Sequence, residues 1–508
     1  MSLISFPLTS TIHCYVPMEL CSILHFLENK SILVTGATGF LAKVFIEKIL
    51  RVQPNVKKLY LLLRAADSIS ALHRFNTEVI GKELFKVVKE KYGAKLNPLI
   101  LEKVTLVPGD ITLESLGIQD TTLQEEILGE VDMVINLAAT TDFDERYDVA
   151  LGINTFGPAN LLNFSKQCSK LRVFLHVSTA YVCGEKEGLV LETPFKVGDT
   201  LNGTCGLNIN TERHIVEEKL KELQSHNASQ KNISSTMKDL GIQRAKKYGW
   251  PNTYAFTKAM GEMMLGQLKE ETSLVIIRPT IITSTYKEPF PGWLEGIRNI
   301  DSFVVGYGKG KMTCFIGDPL SIVDLIPADM VVNAMIVAMA AHANESTDPI
   351  IYHVGTSMAN PVLYRRLQDY GLRFFTERPW INKDGKPVIV SKGTELGTKY
   401  AVHRYMEMHY LIPLKILSLI NTLSCKYFQS TYFDLSRKVK FLMRLVELFS
   451  PYVFFKGVFD DMNTEKLRMA ARESGIENEI FYFDPKSINW DDYFMYTHIA
   501  GVFKYAFK

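Results

Sequence analysis

An α/β fold built on a doubly wound parallel sheet is the class this sequence predicts, and three observations predict it. Short apolar, β-branched-rich runs alternate with stretches of helical period from Ser31 to about Val182. A glycine-rich turn separates the first such run, Ile32 to Val34, from the first helical stretch, Phe40 to Leu50. A hydroxyl pair, Ser178 and Thr179, and then a Tyr-Lys pair in YAFTK, Tyr254 and Lys258, follow in chain order. That order of a nucleotide turn, hydroxyls and Tyr-Lys is the one a Rossmann-type hydride-transfer site needs.

The turn reads TGATGFLA, a GxxGxxA spacing. Gly36 permits the tight turn, Gly39 lets the backbone approach a pyrophosphate, and Ala42 allows close helix-on-strand packing. Thr35 and Thr38 add hydroxyls that could donate to phosphate. The second strand, LYLLLRA, ends in Arg64, where an NAD-selective site would place an acid. A cation there suits a ribose 2′-phosphate, so NADPH is the expected cofactor. VTLVPGDIT then offers Asp110 and Ile111 to an adenine ring. VDMVINLAATTDF puts Asn136, Ala138 and Ala139 at a strand end where small residues let a dinucleotide lie close.

Hydride addition to a carbonyl leaves an alkoxide, and a phenol beside an ammonium group is suited to discharge it near neutral pH. Positions i and i+4 share a helix face, so Lys258 is expected to lower the Tyr254 pKa. Thr179, or Ser178, supplies a second donor to the same oxygen. A covalent route through Cys183 is the alternative, although no activating base stands near it in sequence.

Beyond Val182 the alternation stretches. The largely polar segment 185–245 reads as a helical insertion covering the mouth of the site. LVIIRPTII passes Pro279 close to a nicotinamide position, PFPGWLEG follows as a rigid aromatic loop, and IPADMVVNAMIVAMAAH reads as a helix beside the sheet. After IYHVGTS the alternation stops, which divides the chain into a reductase domain over 30–358 and a mostly helical domain over 359–508. In the latter, FDLSRKVKFLMRLVELF puts Arg437, Lys440 and Arg444 on one face and Val439, Leu442, Val446 and Phe449 on the other. Its plain reading is a surface helix packed on its domain; the other is a helix lying on an anionic bilayer. LIPLKILSLINTLSCKYF is interrupted by Pro413, Lys415 and Asn421 and reads as a core helix, not a membrane span.

The chain of 508 residues, 47% apolar, can bury two domains, and a net charge of +2 predicts no nucleic-acid partner. Seven cysteines with no CxxC pair argue against a disulfide framework or a zinc site, so no metal is expected and the sequons are read as unused. Residues 1–29 read as an N-terminal extension, of which the first eighteen lack the basic region of a signal peptide and are read as having no folded role.

TGATGFLAKVFIEKILRVQPNVKKLYLLLRA, NLAATTDFDERYDVALGINTFG, HVSTAYVCGEK, WPNTYAFTKAMGE, IIRPTIITSTYKEPFPGW and YVFFKGVFDDMNTEKLR together closely resemble the plant-type alcohol-forming fatty acyl-CoA reductases, members of the extended short-chain dehydrogenase/reductase superfamily. The likeness runs from about Glu19 to the C-terminus. It implies reduction of long-chain acyl-CoA to a primary alcohol with two NADPH and release of CoA, through a bound aldehyde, for wax, cutin, suberin or pollen-wall lipids. It also implies a peripheral position on the cytosolic face of the endoplasmic reticulum. A plastid enzyme using acyl carrier protein, or a sugar epimerase or dehydratase of the same superfamily, is the alternative. By the same resemblance Tyr254, Lys258 and Thr179 form the catalytic set. Gly36, Thr38, Gly39, Phe40, Leu41 and Arg64 hold the cofactor, and Asn154 joins them.

Overall fold

The computed structural model describes residues 22–312, 314–345, 348–473 and 479–506, so the expected N-terminal extension lies, up to residue 21, outside the described residues; the rest of it is not an extension, because a short helix, Ile23–Leu27, buries Ile23 and Leu27 in the main core. Seven strands form one sheet: β1 (Ser31–Thr35), β2 (Lys58–Leu63), β3 (Val104–Pro108), β4 (Met133–Asn136), β5 (Val173–Val177), β6 (Leu274–Pro279) and β7 (Ile350–Val354). Their order is 3-2-1-4-5-6-7, and every pair is parallel. The Rossmann-type expectation therefore holds, and the strand order reverses between β1 and β4, the place where such sheets bind ligands.

Both faces are covered, as a parallel sheet requires. Ile32, Val34, Leu61, Ile135 and Leu175 pack into one core with helix α1 (Phe40–Val52). Leu33, Tyr60, Leu62, Val134 and Phe174 pack into another on the opposite face. The predicted insertion forms two helices, α2 (Ile209–Ser225) and α3 (Gln230–Lys247), which lie beside α4 (Thr253–Leu268), the helix that carries the Tyr-Lys pair. The alanine- and methionine-rich segment is helix α5 (Ala328–Ala341), buried along almost its whole length in the first core.

The break drawn near residue 358 marks the end of the alternation and not the end of that core. Phe374, Phe375, Phe481, Phe483 and Tyr493 belong to the same buried cluster as Ile32 and Phe45. The C-terminal region also adds a short parallel strand, Gly457–Phe459, beside Gly188–Val190 at the start of the insertion.

Two C-terminal helices form a hairpin, α6 (Ile412–Leu423) and α7 (Gln429–Val453), and α6 corrects an expectation. It is not a core helix: Ile416, Leu419, Ile420 and Leu423 are exposed, and Asn421, bonded to Gln429 across the hairpin at 2.7 Å, is its buried residue. Apolar composition sets how hydrophobic a helix is, but tertiary placement decides whether it is covered. Helix α7 follows its plain reading at its C-terminal half, where Val439 and Leu448 are buried and Arg444 donates to Asp144 of the reductase domain at 2.6 Å. No helix among the described residues is long and apolar enough to cross a membrane.

Candidate active site

The glycine turn is built for close approach. Gly36 has a φ of +66°, and a Cβ there would stand 2.7 to 2.8 Å from Ala138 backbone atoms at the end of β4. Gly39 is the N-cap of α1 with no side chain closing the cap, so the first amides of the helix stay open toward a phosphate. A pocket of about 270 Å³ follows, lined by Arg64, Ala65, Ala66, Gly109, Asp110, Leu113 and Gly117. Arg64 and Asp110, read from two different strands, thus meet in one cavity. A second cation stands beside them: Arg74 donates to the Arg64 carbonyl at 2.8 Å and reaches the Thr38 hydroxyl at 3.4 Å. These residues fit a dinucleotide phosphate and ribose, with the Gly36 cradle as the deciding feature.

Some predicted cofactor residues have their side chains bonded within the scaffold. The Thr35 hydroxyl does not face the phosphate turn: it donates to Asn136 Oδ1 at 2.7 Å and accepts the amides of Leu137 and Ala138 at 3.2 Å each. Asn136 is fully buried, and its Nδ2 meets His176 Nδ1 at 3.0 Å, so its side chain points along the sheet and away from the pocket. The last residue of a strand can turn to its neighbour or to the crevice, and the strand-to-strand register turned both of these inward. Asn154 ties the Thr140 loop to α4 through the Thr140 backbone and Thr257 Oγ1. It can do so because Gly261 brings α4 close; a Cβ there would meet the Asn154 carbonyl at 2.2 Å. Asp110 closes its own turn by accepting from Thr112, and Ile111 is buried with its carbonyl bonded to Asn160. Pro279 ends β6 opposite Val354.

Helix α4 starts at Asn252, whose side chain accepts from the Ala255 amide, and it carries Tyr254 and Lys258 toward the ends of β5 and β6. Burial pushes the Tyr254 phenol up to about 12, with a hydrogen bond from Thr179 opposing the shift. Burial pushes the Lys258 amine down to about 8, with the Glu262 carboxylate opposing. The expected depression of the phenol by Lys258 is therefore not what the structure gives. Lys258 Nζ donates to the Val177 carbonyl at 2.7 Å, which holds the amine at the end of β5, and His176 Nε2 stands 3.2 Å from it. Thr179 is the hydroxyl that meets the phenol; Ser178 Oγ is buried without a hydrogen-bond partner among the described residues. Cys183 is buried and pushed up to about 12, which keeps it a thiol and removes the basis of a covalent route.

What stacks on Tyr254 is not the insertion. Phe143 lies against its ring at 5.7 Å between centroids, and Tyr452 and Phe449 of α7 lie against Phe143 at 4.7 and 5.5 Å. Tyr181 adds an edge to Tyr452 at 5.2 Å, and the Tyr452 hydroxyl accepts from Asn252 Nδ2 at 2.7 Å. The end of α7 therefore roofs the Tyr254 ring with aromatic rings and holds the cap of α4. Helices α2 and α3 pack on Tyr147, Val182, Trp250 and Phe256 and reach α7 through Lys246 and Glu447 at 2.5 Å.

Two family models, both described as male sterility protein, match residues 34–335 and 409–508, the first of them an NAD-binding domain. The alcohol-forming fatty acyl-CoA reductase of Simmondsia chinensis is 57% identical over 489 residues, 96% of this chain and 99% of that protein. This chain belongs to the fatty acyl-CoA reductase family. Fatty acyl-CoA reductase 1 of Arabidopsis thaliana is 55% identical, with 95% of this chain and 98% of that protein covered. The reductase domain of a nonribosomal peptide synthetase from Mycobacterium tuberculosis shares the fold at 17% identity and a TM-score of 0.51, over 88% of this chain and 86% of that one. As a fatty acyl-CoA reductase the chain is an NAD(P)-binding oxidoreductase, so Gly36 and Gly39 lie in its nucleotide domain, and the aromatic roof joins Phe143 and Tyr181 of the first matched region to Phe449 and Tyr452 of the second. Sequence reading missed Arg74, Phe143, His176 and Tyr452. The available signals were the second arginine after β2 and the histidine opening HVSTAYV; nothing local marked the two aromatics.

Proposed function

We propose that this reductase converts long-chain fatty acyl-CoA to the primary alcohol at Tyr254, consuming two NADPH and releasing CoA while the aldehyde stays bound. The single observation that supports it most is the aromatic roof over Tyr254, a largely apolar wall beside a proton donor, which suits an acyl chain. Arg64, Arg74, Thr38 and the Gly36-to-Leu41 turn would hold NADPH, which supplies the hydride in each step. The Thr179 hydroxyl and the Tyr254 phenol donate to the thioester oxygen as it gains charge. Collapse of the resulting hemithioacetal expels CoA thiolate and leaves an aldehyde. At the second reduction Tyr254 gives its proton to the alkoxide, and Lys258 returns a proton to the phenolate. A phenol held up near 12 is fully protonated at neutral pH, which is the state a reductase needs. Purified protein given palmitoyl- to lignoceroyl-CoA and NADPH should form fatty alcohol; formation of free aldehyde alone, or no product, would overturn the reading.

Two expectations follow from the site. Lys258 loses its charge as pH rises through about 8, so kcat at saturating substrate should be flat below that pH and decline above it. Arg64→Ser removes the cation at the 2′-phosphate position. It should lower kcat/KM for NADPH by ~10-fold or more while leaving NADH rates nearly unchanged.

The proposed place of work is the cytosolic face of the endoplasmic reticulum, as a peripheral protein. Support comes from the hairpin: Ile416, Leu419, Leu423, Tyr427 and Phe433 are exposed, with exposed Lys415, Lys426, Arg437, Lys438 and Lys440 among them. Apolar side chains ringed by cations match an anionic lipid surface. The protein should float with vesicles containing phosphatidylserine, and replacing Ile416, Leu419 and Leu423 together with Ser should leave it in the unbound fraction.

A further inference from the structure

A buried ladder of side chains runs across the sheet from the cofactor cradle to Lys258. Thr35, Asn136 and His176 are in-register neighbours on β1, β4 and β5, so their side chains fall in one row. The three are fully buried. Its hydrogen bonds have a determined direction. Thr35 Oγ1 accepts two backbone amides, Leu137 and Ala138, which uses both of its lone pairs, and so its proton goes to Asn136 Oδ1. That fixes the amide orientation, and Asn136 Nδ2 donates to His176 Nδ1. A neutral imidazole accepting at Nδ1 carries its proton on Nε2, which stands 3.2 Å from Lys258 Nζ. Burial and the neighbouring amine hold His176 well below the usual histidine range, so the ring stays neutral. The ladder therefore ends by aiming an N–H at a nitrogen.

An N–H aimed at Nζ is repulsive toward an ammonium and attractive toward the lone pair of a free amine. The catalytic cycle needs both states of Lys258: the ammonium that returns a proton to the Tyr254 phenolate, and the amine left behind, which is recharged from solvent. We propose that His176 is a positioning residue acting through Lys258, accepting orientation from Thr35 and Asn136 and stabilising the free amine formed when Lys258 gives its proton to Tyr254. No atom of His176 touches substrate, and its own proton does not move. The remaining groups set against the amine are the Val177 carbonyl and Glu262 one turn further on. The Glu262 charge is committed to Arg278 of β6 at 2.6 Å, with His353 beyond it at 3.4 Å, so His176 is the neighbour whose donor opposes the ammonium.

This inference rests on the reductase reading for its kinetic arm but not for its spectroscopic one. In the resting protein labelled with ¹⁵N-histidine, the His176 resonances, assigned by their loss in His176→Asn, should show an unprotonated Nδ1 and a protonated Nε2, with no titration between about pH 5 and 9. A protonated Nδ1, or a ring that titrates in that range, would overturn the ladder whether or not the enzyme is active. For kinetics, two variants separate the contacts. His176→Asn keeps a partner for Asn136 but is too short to reach Lys258; His176→Gln keeps a donor at the reach of Nε2. The alkaline limb of kcat should move up by ~1 unit in His176→Asn, with kcat at pH 7 down ~10-fold and KM unchanged. It should stay in place in His176→Gln. Equal limbs in the two variants would show that His176 only fills space.

Discussion

Replacing Tyr254 with Phe should reduce turnover of acyl-CoA to alcohol by ~10²- to 10⁴-fold, the range that a positioned general acid contributes. The change removes one oxygen from a ring that keeps its stacking partner, Phe143, at 5.7 Å, so the aromatic roof has no reason to move. Lys258 remains held by the Val177 carbonyl, and the nucleotide pocket at Arg64 and Asp110 lies on other elements. NADPH affinity, followed by fluorescence titration, should therefore be near that of the unaltered protein, and thermal stability should change little. The loss should sit in kcat, because the phenol strengthens its bond to the substrate oxygen only as charge develops there. Turnover above about a tenth of the original rate would remove Tyr254 from the role of acid.

How far the chain could be read before its structure depends on whether a signal is local. The turn around Gly36 was legible because one strand, two glycines and one helix announce it within a single βα unit. The Tyr254-Lys258 pair was legible because α-helical spacing alone puts them on one face. Thr35 and Asn136 were read as cofactor neighbours, and the structure bonds their side chains along the sheet. Both sit at strand ends near the crevice, but which way a side chain turns depends on a partner about a hundred residues away. His176 was passed over for the same reason, since its meaning comes from the in-register row on β1, β4 and β5 and not from HVSTAYV itself. The roof of Phe449 and Tyr452 over Phe143 joins residues about three hundred apart in a manner no periodicity encodes. Helix α6 shows the limit of hydropathy: Asn421, one of the three residues that argued for interruption, is the buried one, while Ile412, Ile416, Leu419, Ile420 and Leu423 face out.

Gly36→Val should abolish cofactor binding and weaken the fold together. The glycine has a φ of +66°, a left-handed conformation that costs a β-branched residue about 1 to 2 kcal/mol. The new Cβ would also stand 2.7 Å from the Ala138 nitrogen and 2.8 Å from its Cα, and these are backbone atoms at the end of a buried strand, with no rotamer through which to retreat. Relief has to come from moving the turn away from β4, at a total cost of about 2 to 5 kcal/mol. That movement carries Gly39 and the open amides of α1 off the phosphate position, so binding should be lost even at a temperature where the variant is folded. Gly39→Ala provides the contrast. Gly39 has an ordinary φ of −77°, and an added Cβ meets only the Gly36 carbonyl oxygen at 3.0 Å. It should melt close to the original temperature and lose affinity for NADPH only in part, because its methyl group stands at the mouth of the cap and not inside the strand. If Gly36→Val bound NADPH as well as Gly39→Ala does, the cradle at the β1–β4 switch point would not be where the dinucleotide sits.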